Sequence, residues 1–276
     1  ADGKIVLAGF TKVASDYDFA LARFNDDGTP DSGFGVNGKV ITPVGASLDY
    51  GHGLAIQADG KILVSGYTAV SASKYNFALL RYLPDGTLDD SFNGTGKVTT
   101  AVGNSYDESL ALALQTDGKI IASGYSYKSG APDFAMVQYR TDGIVDSTFG
   151  VDGIVSTPIG SGSDQALAIG FTPDGKIALA GRASNGSNLD FAAARYFSGL
   201  ILGQSGNDNP VSSLSLAPNP LAETGALTYD LKKDALVSLR LYDLQGKLEQ
   251  TFFQSNPQTK GHQEAILQMD KKIPGG

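Results

Sequence analysis

Short segments that alternate apolar and polar residues recur along residues 1–202. In one unit these segments cover residues 109–115, 119–125, 133–139 and 153–159. Each segment is bounded by Gly, Asp, Pro or Ser, and none places its apolar residues at the 3.6-residue period of a helix. The pattern therefore predicts four short β-strands in each unit.

The units repeat in tandem, with three sequence blocks in a constant register. Asp-Gly-Lys begins at Asp2, Asp59, Asp117 and Asp174, at spacings of 57, 58 and 57 residues. An Asp/Asn-Phe-Ala triplet is centred on Phe19, Phe77, Phe134 and Phe191, and Asp-Gly-x-x-Asp-x-x-Phe occupies 27–34, 85–92 and 142–149 but is absent from the fourth copy. Asp followed by Gly supplies the positive φ that a tight hairpin needs. Tandem four-stranded units predict an all-β fold, a partial β-propeller of about three and a half blades; a solenoid of hairpins is the alternative.

The phase of the repeat fixes where the chain enters and leaves the array. If the strands of a blade are called a to d in chain order, the first blade begins at strand b and the fourth ends after strand c at Tyr196. Strand edges should then be exposed at both ends of the array. Because closed propellers have about four to eight blades, we expect the sequence to be a fragment.

Repetition separates residues that hold the fold from residues that could bind a ligand. A residue found in every unit is expected to hold that unit, so a ligand site should consist of residues that occur once. Repeated aspartates are interpreted as turn and strand-start residues whose carboxylates accept backbone N–H groups, with Ca²⁺ binding as the alternative. These aspartates are Asp27, Asp85 and Asp142, Asp31, Asp89 and Asp146, and Asp49, Asp107 and Asp164. Arg23, Arg81 and Arg195 share a position held by Gln138 in the third copy, and an in-blade ion pair is preferred there over an anion-binding ring.

The b–c and d–a loops lie on one face of a propeller, because successive strands alternate in direction. The b–c loops at 11–17, 68–75, 126–132 and 183–189 differ most between copies, and variable loops on a repeated scaffold are where binding residues concentrate. The ligand-binding candidates are Tyr50, His52, Lys74, Tyr75, Tyr106, Glu108, Tyr127, Lys128, Arg182 and Asn185, with Asn188 close by. Tyr, Asn and an occasional cation suit a glycan or a surface protein, and turns without a ligand are the alternative interpretation.

Composition narrows the possible chemistry. The chain of 276 residues has no Cys, two His and a formal net charge of −8. Thiolate metal sites and Cys nucleophiles are therefore excluded, and imidazole chemistry is limited to His52 and His262. The sequence contains no basic cluster, so a nucleic-acid partner is not expected. It also contains no apolar run of 18 residues, so no transmembrane segment is predicted.

A non-catalytic binding or adhesion module is the functional prediction for the propeller. We predict no catalytic residue, no metal, no cofactor and no enzymatic activity. An extracellular polysaccharide hydrolase or lyase that uses carboxylates such as Glu108 and Asp164 is one alternative. A purely structural surface repeat protein is the other.

The repeat resembles a known family. The pattern Ala-Leu-Ala-Leu-Gln-x-Asp-Gly-Lys-Ile, then Asp-Phe-Ala-x-x-x-Tyr, then Asp-Gly-x-x-Asp-x-x-Phe-Gly is similar to the delta-60 repeat and extends over residues 1–197. This resemblance implies a β-propeller in a secreted or cell-surface protein, and it implies no particular activity.

The remainder of the chain has a different composition. Residues 198–212 contain Gly and Pro but no repeat, which predicts a linker. Strand-like segments at 226–231, 235–241, 246–254 and 264–269 then predict a small immunoglobulin-like β-sandwich over residues 213–276.

This C-terminal part contains three recognisable motifs: Leu-Ala-Pro-Asn-Pro at 216–220, a Tyr-Asp-x-x-Gly-Lys turn at 242–247 and Lys-Gly-His at 260–262. In these motifs it resembles the type A C-terminal sorting domain of the type IX secretion system of Gram-negative bacteria. The implied sorting-motif residues are Pro218, Asn219, Pro220, Tyr242, Asp243, Gly246 and Lys247, whereas His262 is interpreted as structural. The family has a further strand after a Pro-Gly such as that at 274–275, so we expect the last strand to be missing. The resemblance implies recognition by the type IX secretion machinery, export through the periplasm and an extracellular or outer-membrane-surface location.

Overall fold

The computed structural model of the chain describes residues 3–173, 175–196, 211–217, 224–242 and 248–268. These residues form 19 β-strands and no helix, which confirms the all-β prediction. None of the described residues thus belongs to a helix that could span a membrane. The chain divides into two compact units, Ala1–Gly170 with Leu179–Ala193, and Phe171–Ala178 with Ala194–Gly276.

Four antiparallel sheets follow the four repeats, and we call them blades 1 to 4. Blade 1 contains β1 (Ile5–Val13), β2 (Asp16–Phe24) and β3 (Lys39–Thr42), and blade 2 contains β4 (Asp49–Ile56), β5 (Ile62–Ser71), β6 (Lys74–Tyr82) and β7 (Lys97–Thr100). Blade 3 contains β8 (Asp107–Leu114), β9 (Ile120–Ser129), β10 (Ala131–Tyr139) and β11 (Ile154–Thr157), and blade 4 contains β12 (Asp164–Phe171), β13 (Ile177–Ser184) and β14 (Leu189–Tyr196). Strands within a blade pair in chain order.

Among the described residues, the first and fourth blades have three strands each, as the phase of the repeat predicted. Blade 1 begins at strand b, and the described part of blade 4 ends after strand c. Among the described residues, no strand of blade 1 pairs with a strand of blade 4.

The Asp-Gly-Lys blocks form tight turns between strands a and b. Gly60 and Gly118 both adopt a φ of 83°, a conformation that glycine reaches without steric cost. The Asp59 carboxylate accepts a hydrogen bond of 3.2 Å from the Lys61 backbone N–H and so closes its own turn. This arrangement confirms the predicted hairpins.

Adjacent blades pack face to face through the apolar residues of strands b and c. Between blades 1 and 2, Phe19 and Leu21 lie in one core with Ile62 and Val64. The equivalent residues of blades 2 and 3 form a second core, which contains Phe77, Leu79, Ile120 and Ala122. All of these side chains are buried. The Asp/Asn-Phe-Ala triplet is therefore the residue set that joins one blade to the next.

The repeated arginine links two blades as well as pairing within its own. Arg81 Nε lies 2.8 Å from the Asp89 carboxylate, and the guanidinium lies 4.4 Å from the centre of the Phe92 ring. Its Nη1 donates a 2.6 Å hydrogen bond to the Thr141 carbonyl of blade 3. Arg23 repeats this arrangement in blade 1. The predicted in-blade ion pair is present in blades 1 and 2, and each arginine also contacts the following blade.

Two small sheets share a core in the C-terminal unit. One contains β15 (Val211–Ala217), β16 (Thr224–Leu231) and β19 (Gly261–Gln268), and the other contains β17 (Ala235–Tyr242) and β18 (Leu248–Gln258). Leu227, Tyr229, Leu231 and Leu267 of the first sheet are buried against Val237, Leu239 and Phe252 of the second. The four predicted strands overlap with β16 to β19, whereas β15 was not predicted and its first two residues were assigned to the linker.

The sorting-motif residues are only partly visible. Six of the seven sorting-motif residues lie outside the described residues: Pro218, Asn219, Pro220, Asp243, Gly246 and Lys247. The seventh, Tyr242, is the last residue of β17. Residues 198–210 of the predicted linker also lie outside the described residues. The His262 imidazole Nδ1 lies 3.1 Å from the Asp230 carboxylate, and the two residues are cross-strand partners in β19 and β16. This contact supports the structural interpretation of His262.

Candidate functional site

The b–c and d–a loops of successive blades meet on one side of the array. The Ala69 N–H in strand b of blade 2 donates a 2.8 Å hydrogen bond to the Leu48 carbonyl in the preceding d–a loop. The Tyr75 N–H in strand c donates a 3.0 Å bond to the Ser105 carbonyl in the following d–a loop. The expected common face is therefore present.

A buried carboxylate at the start of each strand a holds the d–a loop in place. Asp107 accepts a 2.8 Å hydrogen bond from the Val102 N–H, two bonds from the Gly103 N–H and a 2.7 Å bond from the Ser126 hydroxyl. Asp49 and Asp164 bind their own loops in the same way. The structural interpretation of these aspartates is thereby confirmed. Because their oxygens already accept several hydrogen bonds in a buried position, these carboxylates are not arranged to bind Ca²⁺ or a substrate.

A continuous series of aromatic side chains lies near these loops, mostly on the adjoining strands, and we call it the aromatic row. Its members are neighbours with ring centroids 4.4–6.3 Å apart, and they come from blades 1, 2 and 3. The aromatic row consists of Phe10, Tyr17, Tyr50, His52, Tyr67, Tyr75, Tyr106, Tyr125 and Tyr127. Each of these side chains is partly exposed to solvent.

The centre of the aromatic row is a stack of tyrosines. Tyr50 lies 5.2 Å from Tyr17 and 5.1 Å from Tyr67, and Tyr67 lies 5.2 Å from Tyr75. The planes of these pairs are within 23° of parallel. Towards blade 3 the contacts become edge-on, with Tyr75 4.8 Å from Tyr106. Stacked and edge-on pairs at these distances are mutually attractive.

The repeated glycine of strand b explains why the rings come together. Gly66 lies opposite Gly51 in strand a, and a Cβ atom at Gly66 would collide with the Tyr50 carbonyl oxygen. A Cβ atom at Gly124 would collide with the Glu108 carbonyl in the same way. Because only glycine allows this close approach, the residue after it is held beside its partner on strand a.

That partnered position differs in chemistry from blade to blade. It is Tyr50 with Tyr67 in blade 2 and Glu108 with Tyr125 in blade 3. In blade 4, Arg182 Nε donates a 2.9 Å hydrogen bond to the Gln165 side-chain oxygen. The pair at this position is therefore two tyrosines in blade 2, an acid with a tyrosine in blade 3, and an amide with a base in blade 4.

Burial shifts the pKa values of several groups in and beside the aromatic row in the direction that favours their neutral forms. Burial raises the pKa of the Tyr67 hydroxyl well above its ordinary value, and the neighbouring Glu108 carboxylate raises it further. Burial lowers the pKa of the His52 imidazole and so favours its neutral form. Burial raises the pKa of the Glu108 carboxyl, and its hydrogen bond with Tyr125 opposes only part of that effect.

One segment of each blade matches the model of a known protein family. Residues 1–34, 57–92, 115–149 and 172–199 each match the model of a β-propeller domain of unknown function, DUF5122. These four segments are similar to DUF5122 β-propeller repeats. This match confirms the resemblance to delta-60 repeats for these four segments. No curated protein matches the chain.

The DUF5122 match covers strands b and c of each blade, and strand a lies between the matched segments. Phe10, Tyr67 and Tyr125 belong to the matched segments. Tyr50 and Tyr106 lie outside them. The aromatic row is therefore assembled from residues inside and outside the DUF5122 model.

The structure brings together six of the ten predicted ligand-binding residues. Five are members of the aromatic row, and the sixth, Glu108, is hydrogen-bonded to Tyr125 of the row. The five are Tyr50, His52, Tyr75, Tyr106 and Tyr127.

The other four candidates do not join the aromatic row. Lys74 and Lys128 lie at the b–c hairpins of blades 2 and 3, next in sequence to Tyr75 and Tyr127 but outside the ring contacts. Arg182 binds Gln165 in blade 4. Asn185 is a turn residue, because its side-chain oxygen accepts 2.9 Å bonds from the Ser187 and Asn188 N–H groups. The prediction of Asn185 as a ligand-binding residue is not supported by this geometry.

Four members of the aromatic row were not among the predicted residues. They are Phe10, Tyr17, Tyr67 and Tyr125. Three of them directly follow the repeated glycine of the unit, and residues at repeated positions were assigned to the scaffold. The sequence signal that could have identified these three residues is the aromatic residue that follows Gly9, Gly66 and Gly124.

A depression lies on the opposite side of the array, at the a–b turns. A shallow depression of about 320 Å³ lies between the a–b turns of blades 2 and 3, with Gln57, Asp59, Gln115 and Thr116 in its lining. Asp59 and Asp117 bind the backbone of their own turns there. Among the described residues, no group of three or more His, Cys, Asp or Glu side chains is arranged to hold a metal ion. The aromatic row is therefore the better candidate for a ligand site.

Proposed function

We propose that this chain is a non-catalytic binding module that recognises glycans through the aromatic row. The observation that supports the proposal is the unbroken series of partly exposed rings across three blades. A core aromatic cluster would be fully buried, whereas these rings keep one part in contact with protein and another in contact with solvent.

The chemistry of the aromatic row matches that of a sugar. The C–H groups of a pyranose face carry a small positive charge and pack against the negative face of an aromatic ring. Tyrosine adds a hydroxyl that can exchange hydrogen bonds with sugar hydroxyls. Because burial favours the neutral forms of its titratable groups, the row suits a neutral sugar better than a polyanion.

The shape of the site favours an extended ligand. The rings lie along an open surface rather than inside a cavity, and successive blades contribute successive rings, from Tyr50 through Tyr75 to Tyr106. A polysaccharide could contact several rings at once, whereas a single small molecule would contact one or two. Glu108 and the Gln165–Arg182 pair would supply polar contacts at the end of the row nearest blade 4.

The direct test is affinity electrophoresis and calorimetry of the full chain with soluble neutral glucans, mannans and xylans. We expect binding to at least one of them, and we expect Tyr50→Ser with Tyr106→Ser to weaken it about tenfold or more. Phe171→Ser is the matched control, because it removes an exposed aromatic residue that lies outside the row. A folded chain that binds none of these polysaccharides, or a control that weakens binding equally, would contradict the proposal.

A polysaccharide hydrolase or lyase remains the second candidate from the sequence, and the same samples test it. Asp164, one of its two suggested carboxylates, is fully buried and accepts hydrogen bonds of 2.7 and 2.8 Å from the Ile159 and Gly160 N–H groups. Such a carboxylate cannot reach a substrate. Release of reducing or unsaturated sugar by the chain would nevertheless favour the enzyme, and binding without release favours the binding module.

We also propose that the protein acts at the cell surface or outside the cell, after export by type IX secretion through residues 213–276. The two-sheet C-terminal unit supports this proposal, as an immunoglobulin-like sorting domain would have such a core. The chain should be expressed with and without residues 213–276 in a Gram-negative bacterium that has the system. We expect the complete chain at the surface or in the medium and the shortened chain in the periplasm. Equal distribution of the two would overturn the proposal.

A further inference from the structure

Strand a of blade 3 places one carboxylate beside the aromatic row. Glu108 is the cross-strand partner of Tyr125, and its carboxylate accepts a hydrogen bond from the Tyr125 hydroxyl. The equivalent position holds Tyr50 in blade 2 and Gln165 in blade 4. Of these three blades, only blade 3 therefore presents an acidic group at this position.

Aromatic side chains surround this carboxylate. Burial raises the pKa of three tyrosine hydroxyls beside it, and the Glu108 carboxylate raises each of them further. These tyrosines are Tyr67, Tyr75 and Tyr125, and the Tyr125 ring centroid lies 6.2 Å from that of Tyr127. Glu108 and all four rings are partly exposed, so a group in solution can reach the carboxylate between the rings.

No cationic side chain pairs with Glu108 in the part of the chain that the structure describes. None of the ion pairs between described residues includes it. The arginine of the following blade, Arg182, donates its 2.9 Å hydrogen bond to Gln165 instead. Burial disfavours the charged form of a carboxylate that has a single hydroxyl as its partner, and it accordingly raises the pKa of Glu108. A cation that entered the site would offset this cost.

We propose that Glu108 and the tyrosines around it form a subsite for the ammonium group of an amino sugar. The inference rests on the proposed recognition of glycans by the aromatic row, and it names the kind of sugar that the row accepts at blade 3. An ammonium group forms charge-assisted hydrogen bonds with a carboxylate and is attracted to the face of a tyrosine ring. The carboxylate and the rings therefore favour the same ligand group.

The charge of the whole chain acts in the same direction. Lys and Arg number 21 and Asp and Glu number 29, which gives a formal net charge of −8. A negatively charged protein attracts a cationic polymer and repels a polyanion before contact. Because Tyr50 and Gln165 are uncharged, one ammonium group at Glu108 is sufficient, and the neighbouring sugars of the same polymer can be neutral.

Calorimetry of the full chain with three oligosaccharides of equal length and the same linkage tests the subsite. The three differ in one ring substituent, which is an amine in glucosamine, an acetamide in N-acetylglucosamine and a hydroxyl in glucose. The measurement is made slightly below neutral pH, so that the amine is protonated. We expect wild type to bind the amine form at least about fivefold more tightly than the hydroxyl form.

Three variants separate the Glu108 carboxylate from the general charge of the chain. Glu108→Gln should abolish the preference for the amine and change the affinity for the hydroxyl form by less than about twofold. It should fold, because blade 4 carries glutamine at this position. Glu108→Asp keeps the charge and should keep part of the preference. Asp90→Asn is the matched control, because it removes one exposed negative charge between strands c and d of blade 2, outside the aromatic row. Circular dichroism verifies the fold of each variant.

The outcomes distinguish the subsite from the glycan-binding proposal on which it rests. Equal binding of the amine and hydroxyl forms overturns the subsite alone, as does a preference that Glu108→Gln and Asp90→Asn reduce equally. Absence of binding to all three oligosaccharides and to the neutral polysaccharides overturns both proposals. A lysine oligopeptide that binds more tightly than the amine oligosaccharide, with the same dependence on Glu108, would overturn the sugar assignment and indicate a basic protein segment as the ligand.

Discussion

The two ends of the blade strands use the same repeat in opposite ways. At the a–b end, Asp59 and Asp117 form the same turn with the same hydrogen bond. At the other end, one backbone position holds Tyr67 in blade 2, Tyr125 in blade 3 and Arg182 in blade 4. The comparison teaches that a constant backbone can support variable chemistry when only the backbone, and not the side chain, is needed to hold the blade.

The largest effect is expected at Asp107, a scaffold residue located on the variable side. Asp107→Ala should lower the free energy of unfolding by about 3 kcal/mol, because the Val102 and Gly103 N–H groups and the Ser126 hydroxyl lose a buried partner. Urea unfolding measures this change. Asp117→Ala is the control, since Asp117 is exposed and binds one N–H group, and a loss equal to that of Asp107→Ala would contradict the assignment.

The next effect tests the junction between blades 2 and 3. Arg81→Met should lower the free energy of unfolding by about 2 kcal/mol, because the Asp89 ion pair is buried and the bond to the Thr141 carbonyl is partly buried. Arg140→Met, at an exposed ion pair with Asp142, should change it by less than about 0.5 kcal/mol. Similar values for the two variants in urea unfolding would show that Arg81 does not join the blades.

The ion pair of Asp89 also gives the protein a defined acid sensitivity. Burial raises the pKa of Asp89, but the hydrogen bond from Ser91 and the Lys61 and Arg81 cations outweigh it and lower the pKa to about 2. Because the folded pKa lies below the unfolded value of 3.8, the stability from this group is complete above about pH 4 and is lost as pH falls towards 2. We expect the urea midpoint of wild type to fall over this range and that of Asp89→Asn to fall less. Identical pH profiles would contradict this account.

The smallest effect on stability is expected in the aromatic row. Tyr106→Ser removes edge-on contacts with Tyr75 and Tyr127 and should lower the free energy of unfolding by about 1 kcal/mol or less. Thermal and urea unfolding measure this loss. A loss as large as that of Asp107→Ala would show that the row holds the blades together and would remove the contrast between the two strand ends.

Much of the fold was predictable because its determinants are local. Asp-Gly turns and alternating segments set the strands and their order, and the phase of the blocks predicted the three described strands of blades 1 and 4. The dual contacts of Arg23 and Arg81 were not predictable, because the Pro84 and Thr141 carbonyls lie a full repeat away and a backbone acceptor leaves no mark in the sequence. Strand β15 was not predicted, because the linker assignment extended into it as far as residue 212.

The candidate site was predicted in part, for a physical reason. Tyr50, Tyr75 and Tyr106 were found because they occur outside the repeated blocks. Phe10 and Tyr67 were missed because the candidates were restricted to residues that occur once, whereas an aromatic residue follows the repeated glycine in three of the four units. In the folded blade the glycine is required by the approach of strand a, while the next side chain points into the row and is free to vary.

The glycine of strand b thus allows the residue after it, and its partner on strand a, to be exchanged without a change in the backbone. Since the backbone at Gly66 and Gly124 already places the following side chain beside its partner on strand a, a new residue there needs no new loop and no rearranged core. Exchange of the residue pair Tyr50 and Tyr67 for Gln165 and Arg182 would move a basic site from one blade to another. Duplication of a repeat followed by substitutions at these two positions would give the array a new specificity, one blade at a time.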